Sequence, residues 1–447
     1  MGDNPRTFLR SLTWCLAAVL ASGCATAAPR AVPPSEIPAL QARLAADPDN
    51  GPLLALTATS LVAAERCAEA VPLTRGADIT ADQAWPILVR GLCLEEGGDL
   101  AGAMAQYRAY LADHPRGEGA APVRGRLLLA QEEAAVARVR ASTAGDTDAD
   151  APPPNSVAVL PLEIEGDARY QPLSRGLAAQ ISSDLALLDR FSLVERLSLQ
   201  TLLGELERTQ SPLFDSTTTP RFGRVVQAGR LVQGTGSLPA EGPIGLDAQV
   251  ISLDGEVTGA GAQSGSLDDL FRLQKELVFA IAGQLGYTVS AAERARILEN
   301  GTRNLQAFLA YSEGLELQAQ GDHAGAAARF GTSYRLDPGF DDAYEALETS
   351  VGADVASTSG PAGILGTVTL SGNGVDQALQ PPGTAGADPL GLAILSGASD
   401  VSATQGEQVT GGGTGSGTVD PIQNLTTPAP PPTQLLGIIR LTIRIPG

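Results

Sequence analysis

Lysine is all but missing from this chain. Lys275 stands alone, and 30 basic residues face 50 acidic ones, for a net charge of −20. Phosphate neutralisation needs clustered Lys and Arg, so nucleic acid is excluded as a partner. The preference for arginine reads as genomic composition. Histidine is nearly as scarce: only His114 and His323 occur, too few for a His-based triad or a metal cluster. No Gly-rich loop runs into Lys-Ser/Thr, which rules out a phosphate loop. Gly234-Thr235-Gly236 lacks the third glycine and the helix start of a dinucleotide fingerprint and reads as a strand narrowed for close packing. Aromatics make up 4%, which points to thin, helix-rich cores of Ala and Leu. Beyond Cys24 no apolar run is long enough for a membrane helix. The acidic pairs Asp268-Asp269 and Asp341-Asp342 read as helix starts, where the dipole favours carboxylates, and Glu195-Arg196 as an ion pair at a strand end. No catalytic, cofactor-binding or metal-binding residue is therefore expected. The chain reads as a non-enzyme.

What is present begins with an export signal. Arg6 and Arg10 precede the apolar run from Leu12 to Leu20, too short to span a bilayer, and the run ends in Ala21-Ser22-Gly23-Cys24. That ending resembles the lipobox of bacterial lipoproteins, although Ala21 stands where the family prefers Leu. The resemblance implies that Cys24 becomes the acylated, palmitate-bearing mature N-terminus. An ordinary signal cleaved near Ala25-Thr26-Ala27 is the alternative. With Ala25 and no Asp after the cysteine, an outer-membrane lipoprotein facing the periplasm is the expectation. Of the other cysteines, Cys15 leaves with the signal. Cys67 and Cys93 remain, each on an expected helix, and pair as a structural disulfide in an oxidising compartment or stay as two buried thiols.

At 447 residues, roughly two or three domains are expected. Pro29, Pro33 and Pro34 mark a tether. From Ile37 to about Arg140 the pattern is helical: an amphipathic segment stops at Asp47-Pro48-Asp49, and a longer helix is expected from Pro52 to Cys67. Ala84 to Cys93, then Gly97-Gly98-Asp99, then Ala101 to Leu111 and His114-Pro115 form a helix, a turn, an Ala-rich helix and a stop. The order recurs at Ala307–Leu315, Gln320-Gly321-Asp322, Ala324–Phe330 and Leu336-Asp337-Pro338. Both units resemble tetratricopeptide repeats. Each block holds fewer than the roughly three repeats wanted for independent stability, so both are expected to lean on the domain between them.

That domain reads as mixed α/β. Ser156–Leu162 and Arg190–Arg196 are expected strands, Leu173–Leu188 an amphipathic helix, and Leu199–Leu206 and Thr218–Gln227 further helices. A strand from Gly229 leads to a hairpin, Leu246–Leu253 and Glu256–Ser264, turning at Asp254-Gly255, before a long helix from Leu267 to Leu285. Val157-Ala158-Val159-Leu160-Pro161, Leu173-Ser174-Arg175-Gly176-Leu177-Ala178, Leu193-Val194-Glu195-Arg196, Ala228–Gly234 and Leu246–Val257 resemble, in order, segments of the curli-secretion lipoprotein (CsgG) superfamily. Asp268 with Leu270-Phe271 and Leu273-Gln274 is similar to the closing helix of relatives that also carry tetratricopeptide repeats. The resemblance implies an outer-membrane lipoprotein with a periplasmic α/β domain; some members form secretion rings with a shared barrel. A lipid-facing strand needs about 9–11 alternating residues, and the candidates Leu231–Leu238 and Leu246–Leu253 are short and interrupted.

From about Ser350 the chain turns Gly, Thr, Ser and Pro-rich, a composition that buries too little to offset chain entropy. Leu435–Ile445 ends it with strand composition, either unpaired or adding to an open sheet edge. The expected organisation is thus an α+β multidomain chain. It comprises a signal peptide at 1–23, a tether at 24–35, a helical tetratricopeptide-like region at 36–140 and a linker at 141–155. A CsgG-like α/β domain at 156–300, a helical hairpin at 301–349, a low-complexity tail at 350–434 and a strand-like end at 435–447 follow. The function expected is a scaffold or assembly factor for envelope or secretion machinery, anchored by lipid, with other envelope proteins or peptides as partners and a homo-oligomer left open. The alternative is a protomer of a CsgG-type channel. A hydrolase acting through its abundant Asp and Glu is a third reading.

Overall fold

The computed structural model describes residues 31–77, 84–117, 119–143, 151–194, 196–208 and 219–368. The signal segment, Cys24, the low-complexity stretch beyond 368 and the strand expected at Leu435–Ile445 lie outside the described residues. In the first block, α1 (Ile37–Ala46), α2 (Gly51–Ala63), α3 (Cys67–Leu73), α4 (Trp85–Glu96), α5 (Leu100–Asp113) and α6 (Ala120–Thr143) follow one another. Asn50 caps α2 by accepting from the Leu53 amide at 3.0 Å. The single helix expected from Pro52 to Cys67 is split. Glu65 adopts the left-handed region (φ 57°), and the Arg66 amide donates to the Leu61 carbonyl at 2.9 Å, closing α2 before α3 begins.

The middle unit carries β1 (Ser156–Val159), β2 (Glu163–Gly166), α7 (Leu173–Ala186), β3 (Ser192–Leu193), α8 (Arg196–Arg208) and α9 (Thr219–Val226). After them come β4 (Arg230–Leu238), β5 (Ile244–Ser252), β6 (Val257–Gly265), α10 (Leu270–Gln284) and α11 (Ala291–Glu299). The sheet order is β3-β1-β4-β5-β6, with β2 paired to β4 beyond the end of β1. Both β1 and β2 run parallel to β4, at Val157↔Arg230 and Ile164↔Gly236. Pro161 interrupts what is otherwise one strand, because it has no N–H to give the ladder. β4, β5 and β6 form an antiparallel meander whose second turn uses Gly255 at φ 85°. The close packing expected of Gly234-Thr235-Gly236 is present: a Cβ on Gly236 would stand 2.7 Å from Ile164 Cδ1.

One face of the sheet buries Val157, Val159, Ile164, Val232, Leu246 and Val250 in one cluster with Leu177, Ile181, Leu273 and Leu277 of α7 and α10. On the other, Ala158, Leu231 and Ile251 meet Leu199, Val225 and Val226, together with Ala135 and Val139 from the end of α6. β4, β5 and β6 are nine residues each, β4 and β5 slightly longer than the sequence suggested; the buried positions of β4 and β5 face helices, and no described residue of β6 is buried.

The chain then forms α12 (Leu305–Ala319), α13 (His323–Leu336) and α14 (Asp341–Val368). The α4–α5 hairpin returns here on one template. Trp85, Gly91, Gly98, Asp99, Gly102, Tyr107 and Pro115 correspond to Phe308, Gly314, Gly321, Asp322, Gly325, Phe330 and Pro338, each 223 positions on. The chemistry repeats with the spacing. Gly91 and Gly314 lie flat against the rings of Tyr107 and Phe330, where any Cβ would collide. Gly98 and Gly321 turn the chain at φ 80° and 79°. Asp99 and Asp322 each accept from the Gly102 or Gly325 amide at 2.8 Å.

The second hairpin leans on the sheet unit as expected, α12 lying so close to α7 that a Cβ on Gly176 would strike Ser312. The first block is completed differently. Helix α14 runs on past 349 to Val368, kinked at Gly360 (φ 65°), and packs along α6 at Gly125 and Gly352, where neither residue has room for a Cβ. Its Ala356, Ile364 and Leu365 are buried in one cluster with Ile37, Leu61, Trp85, Leu88 and Tyr107. The boundary expected at 350 is therefore corrected: 350–368 is helix and core. Small residues, which look like low complexity in isolation, are what close helix contact requires.

Replacing Leu365 with Ala is expected to cost about 2–5 kcal/mol, and Gly352→Val at least as much; urea unfolding of the purified protein measures both.

Candidate functional site

Where the helices meet the sheet unit, α6, α7, the start of α8, α12 and α14 line a solvent-open cavity of about 410 Å³. Its position is set by an aromatic knot. Phe340, fully buried just before α14, places its ring 4.9 Å from that of Tyr311, and Phe308 and Phe330 pack around them. This fixes Tyr311 in one wall and starts α14 beside it. Asp341 turns outward to Arg116 at 2.6 Å. Asp342 lines the cavity together with Ser183, whose hydroxyl favours its charged form.

Burial, and then Glu345, push the Asp342 carboxyl up to about 6, against Ser183 and Arg196, which favour its charge. Six residues further along, burial pushes Glu348 up to about 7 although the Arg124 Nε lies 3.3 Å away. Arg124 also donates to the Pro115 carbonyl at 2.7 Å and lies 3.6 Å from Glu345. Arg196 is held more loosely. Its bonds run to the amide oxygens of Gln200 and Gln318, both at 3.4 Å, and it makes no ion pair with a described carboxylate. The Tyr311 hydroxyl makes no hydrogen bond to a described residue, and burial raises its pKa. Leu127, Leu128 and Leu193 complete an apolar side.

Behind the wall lies the buried partner of the only lysine. Lys275 of α10 donates to both oxygens of Asp184 of α7, at 2.7 and 2.8 Å, and to the Asn300 carbonyl at 2.9 Å. Gln274 and Asn300 also donate to Asp184, at 2.8 and 2.9 Å. Burial pushes the Asp184 carboxyl up, against these four bonds to its charged form. Asn300 bridges to Ser183 at 3.2 Å, so the ion pair is tied to the cavity wall through one hydroxyl.

Of the residues singled out in the sequence, Cys67 and Cys93 come together, their sulfurs at disulfide-bonding distance and their Cα atoms 5.4 Å apart. His114 and His323 lie apart, the first just past the end of α5 against Tyr110, the second buried at the start of α13. Asp268 and Asp269 do begin a helix: Asp269 and Ser266 form a reciprocal cap, whose hydroxyl and amide donors hold the Asp269 carboxyl down at about 2. Asp342 begins a helix too, yet it also faces the cavity, and Arg196 stands across from it rather than at a strand end. Sequence reasoning missed both roles, and it read Lys275 as compositional. The signal available was its isolation in an arginine-dominated chain. Among the described residues no group of three or more His, Cys, Asp or Glu is placed to hold a metal, and no helix is long and apolar enough to cross a membrane. Compared with protein-family models and with curated proteins, the sequence matches neither.

Two outcomes follow from these groups. Lys275→Met leaves Asp184 buried with neutral donors only and is expected to cost about 3–5 kcal/mol, with part of the loss recovered in the Asp184→Leu/Lys275→Met double variant, read by urea unfolding. Carboxyls whose folded pKa is raised bind more protons folded than unfolded, so stability is greatest below the unfolded value and falls as pH rises through the folded one. With Asp342 near 6 and Glu348 near 7, Tm is expected to fall between about pH 4 and 7. Glu348→Gln should flatten that slope in a thermal-melt series.

Proposed function

We propose that this protein is a lipid-anchored periplasmic scaffold that holds another envelope protein or peptide and carries out no chemical turnover. The observation that carries the reading is the joining of two distant helical regions into one array along α6 and α14. Arrays of paired helices present extended surfaces suited to macromolecules. The hairpin template shared by α4–α5 and α12–α13 supports a tetratricopeptide-type array. The order of strands and helices in the middle unit supports a CsgG-like domain. The helix-covered face of β4 and β5 gives the channel alternative no particular support. The lipid anchor rests on Cys24 and the segment before it.

Cys24→Ser is expected to move the protein from the membrane to the soluble envelope fraction, while cross-linking of the lipidated parent in its native envelope yields a discrete protein complex. A Cys24→Ser variant that still sediments with membranes removes the anchor. A parent that cross-links to nothing removes the scaffold.

A further inference from the structure

The charges around the junction cavity are balanced but not matched to one another. Arg124, Arg196, Asp342 and Glu345 line it together with apolar side chains. Arg124 is engaged with α14 and the Pro115 carbonyl, and Glu345 with Arg124 at 3.6 Å. That leaves one cation and one anion under-committed. Arg196 has two long bonds to neutral amide oxygens from a guanidinium that carries five donors. Asp342 makes no ion pair with a described residue; the nearby Ser183 hydroxyl and the Arg196 charge favour its charged form. Beside Arg196, the Tyr311 hydroxyl has no described partner.

From this arrangement we propose that the cavity binds a zwitterion of the amino-acid class, its carboxylate on Arg196 and Tyr311 and its ammonium on Asp342 and Glu345. An anion alone would face two carboxylates, and a cation alone two guanidinium groups. A neutral apolar molecule would strip water from all four charges and return nothing. A zwitterion satisfies both ends, and Leu127, Leu128 and Leu193 give its side chain an apolar surface. The volume lies within the usual range for small-ligand pockets of roughly 300–1,000 Å³. A free amino acid and a short peptide with both termini present the same chemistry. The site stands on the cavity and is independent of the scaffold reading, since a small ligand can be titrated with no macromolecular partner present.

The experiment is isothermal titration calorimetry on the full-length protein in detergent, with leucine, leucyl-leucine, N-acetyl-leucyl-leucine and leucyl-leucinamide as ligands. Binding by leucine or leucyl-leucine is expected, the tighter of the two identifying the source. Blocking either terminus of the dipeptide should weaken binding at least tenfold. Arg196→Gln should weaken the free ligand at least tenfold and abolish discrimination against the amide; Asp342→Asn should do the same for discrimination against the acetyl form. The blocked ligands test the unaltered protein, so the result does not depend on either variant folding. Failure of both free ligands to bind at millimolar concentration overturns the proposal, as does equal binding of the blocked forms.

Discussion

The contact between Gly125 and Gly352 is the constraint on which the architecture depends. Two helices can lie backbone to backbone only where neither carries a side chain at the crossing, and here a single added carbon on either glycine would meet main-chain atoms of the other helix. The close approach lets α14 reach into the first helical block and deliver Ile364 and Leu365 to its core. Without it that block would be left with an open apolar side. The same α6 that receives α14 ends by covering the second face of the sheet with Ala135 and Val139. One helix of 24 residues, about 36 Å long, thus belongs to both units.

Thin cores of this kind put weight on polar anchoring. Aromatics are few, and four of them, Phe308, Tyr311, Phe330 and Phe340, are spent in one knot at the junction. Behind it the Asp184–Lys275 pair fastens α7 to α10 and, through Asn300, to the end of α11. A lysine suits that place because its compact ammonium offers three donors that fit two carboxylate oxygens and one carbonyl, which a planar guanidinium would not do in the same space. Arg196 and Asp342 beside the cavity are not part of this pair and form no ion pair with a described residue.

How much of this was legible in the sequence depends on the range over which each signal acts. Local signals read well. The Gly-Asp turns, the Asp254-Gly255 hairpin and the helix starts at Asp268-Asp269 and Asp341-Asp342 all depend on neighbours within a few residues, and each is found where expected. Glu65 shows the limit even there: a non-glycine residue in the left-handed region gives no sequence warning, and the helix expected through it is broken. Long-range features were invisible. Nothing near 350–368 announces a partner more than two hundred residues earlier, and its Gly, Ala, Ser and Thr were taken for a solvated tail. The cavity suffered the same fate, since Arg196, Tyr311 and Asp342 come from three separate helices and each alone has an ordinary explanation.

Among the described residues the final helix sits beside the first. Ile364 and Leu365 share a cluster with Ile37, so the helices that begin there have no complete core until the chain has been extended past residue 365. Contacts of such separation are slow to form, and helices awaiting a distant strip of their own sequence stay open to solvent through most of synthesis. Assembly order is therefore written into the glycine crossing: the sheet unit and the second hairpin can close among themselves, and the opening helices are sealed last, by the segment translated after all of them.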